Sequence, residues 1–430
     1  MRQKILFISV LLTFTLSNAF SQQKKGTVKE MPGCEIFDTE KIHEIRINFL
    51  QPAAWDSLVQ HKELRDSLNR KRYLQGNVEV NGKSYYSCGI RIKGESSYDF
   101  YPGKKKSLKI NFGEFVKKQK LNGLKTINLN NAFRDPTFMR EKLFLDFLRS
   151  EKIAAPRCAF ANVYLNDELL GLYVLVEEIN KGFLKHNFGN KNGWFFKGEP
   201  KATFKYMGEN ILEYQSDYKN KTKSIEGYSD LIDLIRIAND QGDIERVFNV
   251  EECLKIFAIT SLFMNVDAYN ILHRHNYYLY KNTSTQKFEW IPYDANYSFC
   301  AFSSVFTLND AENLSVFYIK NNHDVPLLRT LLGVKKYRDF YSEYIKGLLS
   351  KKDIEKDITD EIDMLSLRIQ KYVYADTLKM YTNAEFEDNL NKTLGDVLDP
   401  GAFIPGLKPF IRKRIEAVRL ELNLKKEKRD

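Results

Sequence analysis

Between residues 41 and 130 apolar and polar positions alternate with period two. "KIHEIRINFL", "GNVEVNGKSYYSCGIRIKGES" and "KKKSLKINFGEF" each place every second residue on one face, the signature of half-buried strands. A twisted, mainly antiparallel sheet is expected there. In "KKKSLKINF" the alternation groups Lys106 with Leu108 and Ile110, and Ser107 with Lys109 and Asn111. The period then changes. In "RDPTFMREKLFLDFLRS", Met139, Leu143 and Phe147 recur at helical spacing and Leu148 widens the stripe. Asp135 suits the N-cap and Pro136 the first helical turn. "FANVYLNDELLGLYVLVEEIN" reads as two strands joined by an Asn166-Asp167 turn, and "GWFFKGEP" as a short strand carrying Lys197.

From about residue 203 the pattern turns helical. "SDLIDLIRIAND" is amphipathic, and "NVEECLKIFAITSLFMNVDAY" is apolar almost all round. Asn249 followed by Glu252 marks that second helix's start, and Asn265–Asp267 its end. A hairpin follows, with strands Tyr277–Tyr280 and Lys287–Ile291, and just past it stand Asp294 and Asn296. Helices fill the remainder, up to a charged tail "LKKEKRD". The expected class is α+β. Its parts are an N-terminal segment at 22–40, a strand-rich part at 41–202 and a helical part at 203–430.

The first 21 residues differ in kind. Arg2 and Lys4 precede an apolar run from Ile5 to Leu16, and Ala19 and Ser21 give a small-x-small pattern. This is the pattern of a signal peptide cleaved before Gln22, so export to the periplasm, cell surface or medium is expected, with no membrane span in the mature chain. The five cysteines show neither CxxC nor metal-ligand spacing, so buried thiols are expected rather than a disulfide scaffold. The net charge of +10 favours anionic partners, but no long basic tract occurs and nucleic acid is not expected. Six histidines without HExxH give a zinc hydrolase no support.

Candidate chemistry lies where the two parts meet. Asp267 and Asp294 follow separate elements and could supply the hard oxygen ligands that Mg²⁺ takes beside phosphate, with amide oxygens from Asn276 and Asn296. An Asx turn explains Asp294 and Asn296 equally simply, and helix termination explains Asp267. Lys106, on the apolar side of its strand, could reach a phosphate, or end that strand in solvent. The small residues of "RIKGESSYDF", Gly94 with two serines, could turn backbone N–H groups to phosphate. The strand leaving at Glu177–Glu178 could offer backbone contacts to an adenine ring, or simply exit the core. Arg140 and Glu141 could orient a strand lysine or a phosphate, or pair at the surface.

Taken in order, "RIKGESS", "KKKSLKINF", "LNNAFRDPTFMREKL", "VYLNDELLGLYVLVEEI", "WFFKGE", "RHNYYLY" and "WIPYDANYSF" resemble the CotH kinase family, atypical secreted protein kinases named for a spore coat protein. The likeness covers roughly residues 85–300, and "PFIRKRIEAVRLEL" is similar to the usual end of such domains. It implies a divergent protein-kinase-like two-lobed fold, with ATP and Mg²⁺ or Mn²⁺ between a strand-rich N-lobe and a helical C-lobe. By the same resemblance Asp294 binds metal, and Asp267 is a second metal ligand or the base for the acceptor hydroxyl. Lys106 or Lys109 is the phosphate lysine, Arg140 faces the nucleotide, and Glu177, Glu178 and Lys197 border the nucleotide. One departure stands out: where relatives are expected to read WDxD, this chain has Tyr293 and Asn296. The implied activity is phosphoryl transfer to Ser or Thr of a protein substrate. A catalytically weak or inactive surface protein of the same fold is the alternative. A carbohydrate-binding surface using the 30 Phe and 24 Tyr is a third reading, without carboxylates paired for glycoside hydrolysis.

Overall fold

A computed structural model describes residues 31–424 apart from 69–71, 102, 223, 241, 320–324 and 352; the segment read as a signal peptide lies outside the described residues. The period-two segments become strands β1 (Ile42–Asn48), β2 (Leu74–Val80), β3 (Lys83–Ile92), β4 (Leu108–Asn111), β5 (Thr126–Asn130), β6 (Cys158–Leu165) and β7 (Glu168–Glu177). They form a closed barrel in the order β1-β2-β3-β4-β5-β7-β6. Every neighbouring pair is antiparallel except the closing one, where β1 runs parallel to β6 with Ile45 opposite Val163. The interior is aliphatic, with Ile45, Ile47, Ile90, Leu108, Ile110, Ile127, Leu129 and Val163 all buried in one cluster. Helix α1 (Ala54–Leu68) lies against β2 and β3, and a short α2 (Ser96–Asp99) follows β3.

Strand β7 shows why "GLYVLVEE" looks apolar throughout. Tyr173 and Leu175 enter the barrel core, whereas Leu172, Val174 and Val176 join a second core shared with the helices. A strand buried on both faces loses its alternation. The β6–β7 turn is as expected: Asn166 and Asp167 both have positive φ (47° and 65°), the geometry of a type I′ hairpin.

Helix α3 spans Arg140–Ser150, four residues later than Asp135 as N-cap would require. The Asp135 carboxylate instead accepts the Thr137 N–H at 3.0 Å and the Arg140 N–H at 2.9 Å, so residues 135–139 form turns beneath the helix. The acid still satisfies an orphan donor of the first turn, from further away.

A second sheet runs β11-β10-β8-β9, from β8 (Phe195–Gly198), β9 (Tyr218–Asn220), β10 (Tyr277–Asn282) and β11 (Lys287–Pro292), with α4 (Lys181–Phe188) leading into β8. Strand β8, before residue 203, thus pairs with strands after it. Tyr277 and Trp290 stack across the β10–β11 pair with ring centroids 3.9 Å apart. The later helices are α5 (Gly227–Asp240), α6 (Val250–Leu262), which packs on β11, α7 (Leu308–Asn313), α8 (Pro326–Gly333), α9 (Lys335–Lys351), α10 (Ile354–Ala375), which packs on β7 of the barrel, α11 (Asn383–Asp388) and α12 (Leu407–Glu421). Helix α6 is capped by Asn249, whose side chain accepts from the Glu252 N–H, and it is buried on nearly every side. Cys88, Cys158, Cys253 and Cys300 are buried, Cys34 is exposed, and none of the five forms a disulfide. No helix among the described residues is long and apolar enough to cross a membrane.

Candidate active site

Because β3, β4 and β5 turn one set of residues into the barrel, the alternate set forms a polar row outside it. Arg91 stands opposite Lys109, and Lys109 opposite Asn128. The Lys109 ammonium bonds the Glu178 carboxylate just beyond β7, and Asn128 Nδ2 donates to the other oxygen at 2.8 Å. Burial alone would raise the Glu178 pKa, but the Lys109 charge and these hydrogen bonds outweigh it and hold the carboxyl at about 2. Burial, partly offset by Glu178, brings Lys109 down to about 8.

Two residues past β3 the chain turns at Gly94, where φ is +87° and a Cβ would sit 2.1 Å from Ser97 Oγ. Lys93, just before it, donates from Nζ to Asn130 Oδ1 at 2.5 Å. Asn130 Nδ2 in turn donates to Glu141 Oε2 at 2.7 Å. Glu141 lies in the first turn of α3 and is only 3% exposed. Its Oε1 closes no hydrogen bond of good geometry, although the Ala295 N–H is near enough to ease its charge. Burial first, and then the Asp294 charge, push Glu141 up to about 7. Lys93, Gly94, Ser97, Asn130, Glu141, Asp294 and Asn296 line one cavity. Two carboxylates meeting beside an ammonium at a small-residue turn form an environment suited to a divalent cation and phosphate oxygens.

The β10–β11 hairpin brings the other acid close. Asn276 directly precedes β10 and Asp294 follows β11 by two residues, so antiparallel pairing sets both at the open end of one hairpin, where the Tyr293 N–H donates to Asn276 O at 3.2 Å. Both have positive φ, +63° and +55°. Asn276 Nδ2 donates to Asp267 Oδ2 at 2.7 Å and reaches Asp294 O at 3.4 Å, tying the loop after α6 to the turn after β11. His275 Nε2 lies 3.1 Å from Asp267 Oδ1. Burial alone would lower the pKa of His275, but its hydrogen bond to Asp267 and the charges of Asp267 and Asp294 raise it above the ordinary value.

These elements fall within a single stretch of matching sequence. Residues 90–399 match the CotH kinase protein family, almost three-quarters of the chain. The chain belongs to the CotH family. It is similar to inner spore coat protein H of Bacillus subtilis (strain 168), 25% identical over 312 residues, covering 70% of this chain and 82% of that one. It is also similar to invasin CotH2 of Rhizopus delemar, 24% identical over 257 residues, or 54% of this chain and 39% of the longer relative.

In this CotH family member the expected site residues separate into two groups. Asp267, Asn276, Asp294 and Asn296 come together, and Lys109 and Glu178 sit on the adjoining polar row. Lys197 borders the same region, with Nζ 5.4 Å from the Tyr293 ring centroid and ion-paired to Glu199 at 3.2 Å. The other group lies elsewhere. Lys106 precedes β4, outside the alternation extrapolated to it, and donates to the Tyr98 and Tyr101 carbonyls at 2.7 and 2.5 Å. Arg140 is fully buried among Asp135, Asn389 and the Pro405 carbonyl, where it fastens α3 to the C-terminal segment instead of facing a ligand. Glu177 is held by Arg157 through two bonds of 2.9 and 2.6 Å. Lys93 and Asn130 were not singled out from sequence. The available signal was a lysine placed directly between a strand and the glycine of "RIKGESS".

Proposed function

We propose that this chain is an exported protein kinase that transfers the γ-phosphoryl group of ATP to a Ser or Thr hydroxyl of surface or secreted proteins, on a divergent two-lobed kinase-like fold. The observation that carries this reading is the meeting of Glu141 and Asp294 beside Lys93, with Asp267 fixed next to them by Asn276. Glu141 Oε1, Asp294 and the Asn296 amide are hard donors of the kind Mg²⁺ or Mn²⁺ takes. When bound, the ion would neutralise charge on the β- and γ-phosphate oxygens. Lys93 would contact the phosphates from the barrel side, and the Gly94–Ser97 turn would enclose them. Asp267 would accept the hydroxyl proton as the acceptor oxygen bonds the γ-phosphorus and the bond to the bridging oxygen breaks, releasing ADP. The polar row ending at Lys109 and Glu178 would border the rest of the nucleotide. An apolar leader ahead of the matched domain, and relatives named for a spore coat and for invasion, support export.

Labelled ATP with Mn²⁺ or Mg²⁺, incubated with the mature chain and a generic acceptor, tests this. Transfer is expected, falling at least about a hundredfold in Asp294→Ala. A folded protein showing neither nucleotide binding nor transfer would sink the proposal. The second reading, a binding protein at the surface, is favoured by Asn296: an amide in place of an acid removes one negative charge from the cation's surroundings.

A further inference from the structure

We propose that Asp267, His273 and His275 form a binding site for a borderline-soft divalent ion such as Zn²⁺, separate from the oxygen-lined cavity at Asp294. One ligand atom from each residue lies within 4.8 Å of the other two. Two imidazole nitrogens and one carboxylate oxygen, with an open position, are the donor set of zinc sites that keep an exchangeable ligand. Nitrogen donors also separate this site from Mg²⁺, which prefers oxygen throughout.

The local structure prepares it. Asn276 Nδ2 occupies Asp267 Oδ2 at 2.7 Å, which leaves Oδ1 directed at His275 Nε2, 3.1 Å away. Such a hydrogen bond to the second carboxylate oxygen fixes the rotamer of a ligand. A tetrahedral ion about 2.0–2.1 Å from each ligand holds ligand atoms roughly 3.4 Å apart. The Asp267–His275 pair is already near that spacing, and bringing His273 in asks for a movement of at most about 1.4 Å. His273, exposed and so able to change rotamer, can make it.

The site has a consequence that rests on the kinase reading. The Asp267 oxygen that would ligate the ion is the group proposed to take the acceptor proton, so Zn²⁺ occupancy would silence transfer while leaving the Asp294 cavity intact. The ion would act as an inhibitor, and Mg²⁺ would not relieve it.

Zn²⁺ alone, titrated into the full mature chain by calorimetry or chelator competition, tests the site without reference to activity. One Zn²⁺ per chain is expected, unaffected by millimolar Mg²⁺, with affinity at least tenfold weaker in His273→Ala and weakened less in Asp294→Asn, where only a neighbouring charge and no ligand is lost. The thermal midpoint of the apo variant checks that the His273 substitution leaves the fold in place, and His275→Gln serves as the second variant. No stoichiometric binding, or equal affinity in wild type and both histidine variants, would overturn the proposal. Zn²⁺ binding without phosphoryl transfer would remove the kinase reading and leave the metal site standing. Transfer without Zn²⁺ binding would do the reverse.

Discussion

Lys105 and Asp376 form an ion pair in which neither side chain is exposed, joining the loop before β4 to the C-cap of α10. Asp376 Oδ2 also accepts the Leu172 N–H at 3.0 Å, and Oδ1 the Leu378 N–H at 3.1 Å. Gly171 makes room for it: a Cβ there would lie 2.1 Å from Asp376 Cγ, at φ +105°. The barrel and helix α10 are therefore fastened through one carboxylate with three partners.

Removing one member of a buried pair leaves the other uncompensated, at a cost of about 3–5 kcal/mol. Asp376→Ala should lie at the upper end, because it strands an ammonium and two backbone N–H groups. Lys105→Met should cost less, since Asp376 keeps both backbone donors. Urea denaturation of the two variants checks the order. Equal losses would mean that the ion pair alone matters and the backbone bonds do not.

The Glu141 carboxyl predicts a pH slope. Its folded-state pKa of about 7 stands above the ordinary 4.5, so between these values the folded protein binds a proton that the unfolded chain has released. Stability then falls as pH rises from about 4.5 to 7, by on the order of 3 kcal/mol. The effect belongs to the metal-free protein, because the cation proposed to sit between Glu141 and Asp294 would replace the proton. Denaturation in EDTA at pH 5 and pH 7.5 should show the loss, and Glu141→Gln should flatten it. An unchanged slope in Glu141→Gln would assign the effect to other groups.

Lys93 and Lys106 make a direct comparison. Lys93 lines the cavity, whereas Lys106 serves two carbonyls of the preceding loop. Lys93→Met should reduce kcat/KM for ATP by about 10- to 100-fold with little change in melting temperature. Lys106→Met should do the opposite, lowering the melting temperature by a few degrees and sparing kcat/KM. The same pair of measurements on both variants decides which lysine serves the proposed phosphate contact.

That comparison also marks how far the sequence could be read. The hairpin at 277–292, the Asn166-Asp167 turn and the buried α6 are set by local period and turn chemistry, and they stand where the pattern puts them. Barrel closure is not local: Ile45 meets Val163 across more than a hundred residues, and both strands carry the same alternation whether paired or not. Lys106 shares the alternation of β4 only if the period is carried two residues ahead of the strand, while Lys93 sits one residue past β3, where period has no meaning. Asp294 and Asn276 were visible as polar residues at hairpin ends. His273 and His275 were visible only as a count too small for a zinc hydrolase, and their approach to Asp267 follows from a turn with positive φ at Arg274 and Asn276.

Asn296 offers the sharpest test of the cavity. It lines the same space as Glu141 and Asp294, where an acid would add a third negative charge. Without a cation, Asn296→Asp should destabilise the protein, because three carboxylates would share one poorly solvated volume. With Mn²⁺ the sign should reverse. An anionic oxygen ligand should bind the ion about tenfold more tightly than the amide does, worth about 1.4 kcal/mol once the site is saturated. Thermal midpoints of wild type and Asn296→Asp should therefore cross between EDTA and millimolar Mn²⁺. A variant less stable under both conditions would place the cation away from Asn296. A crossing, accompanied by faster transfer, would identify the amide at this position as the feature that sets how tightly this CotH family member holds its metal.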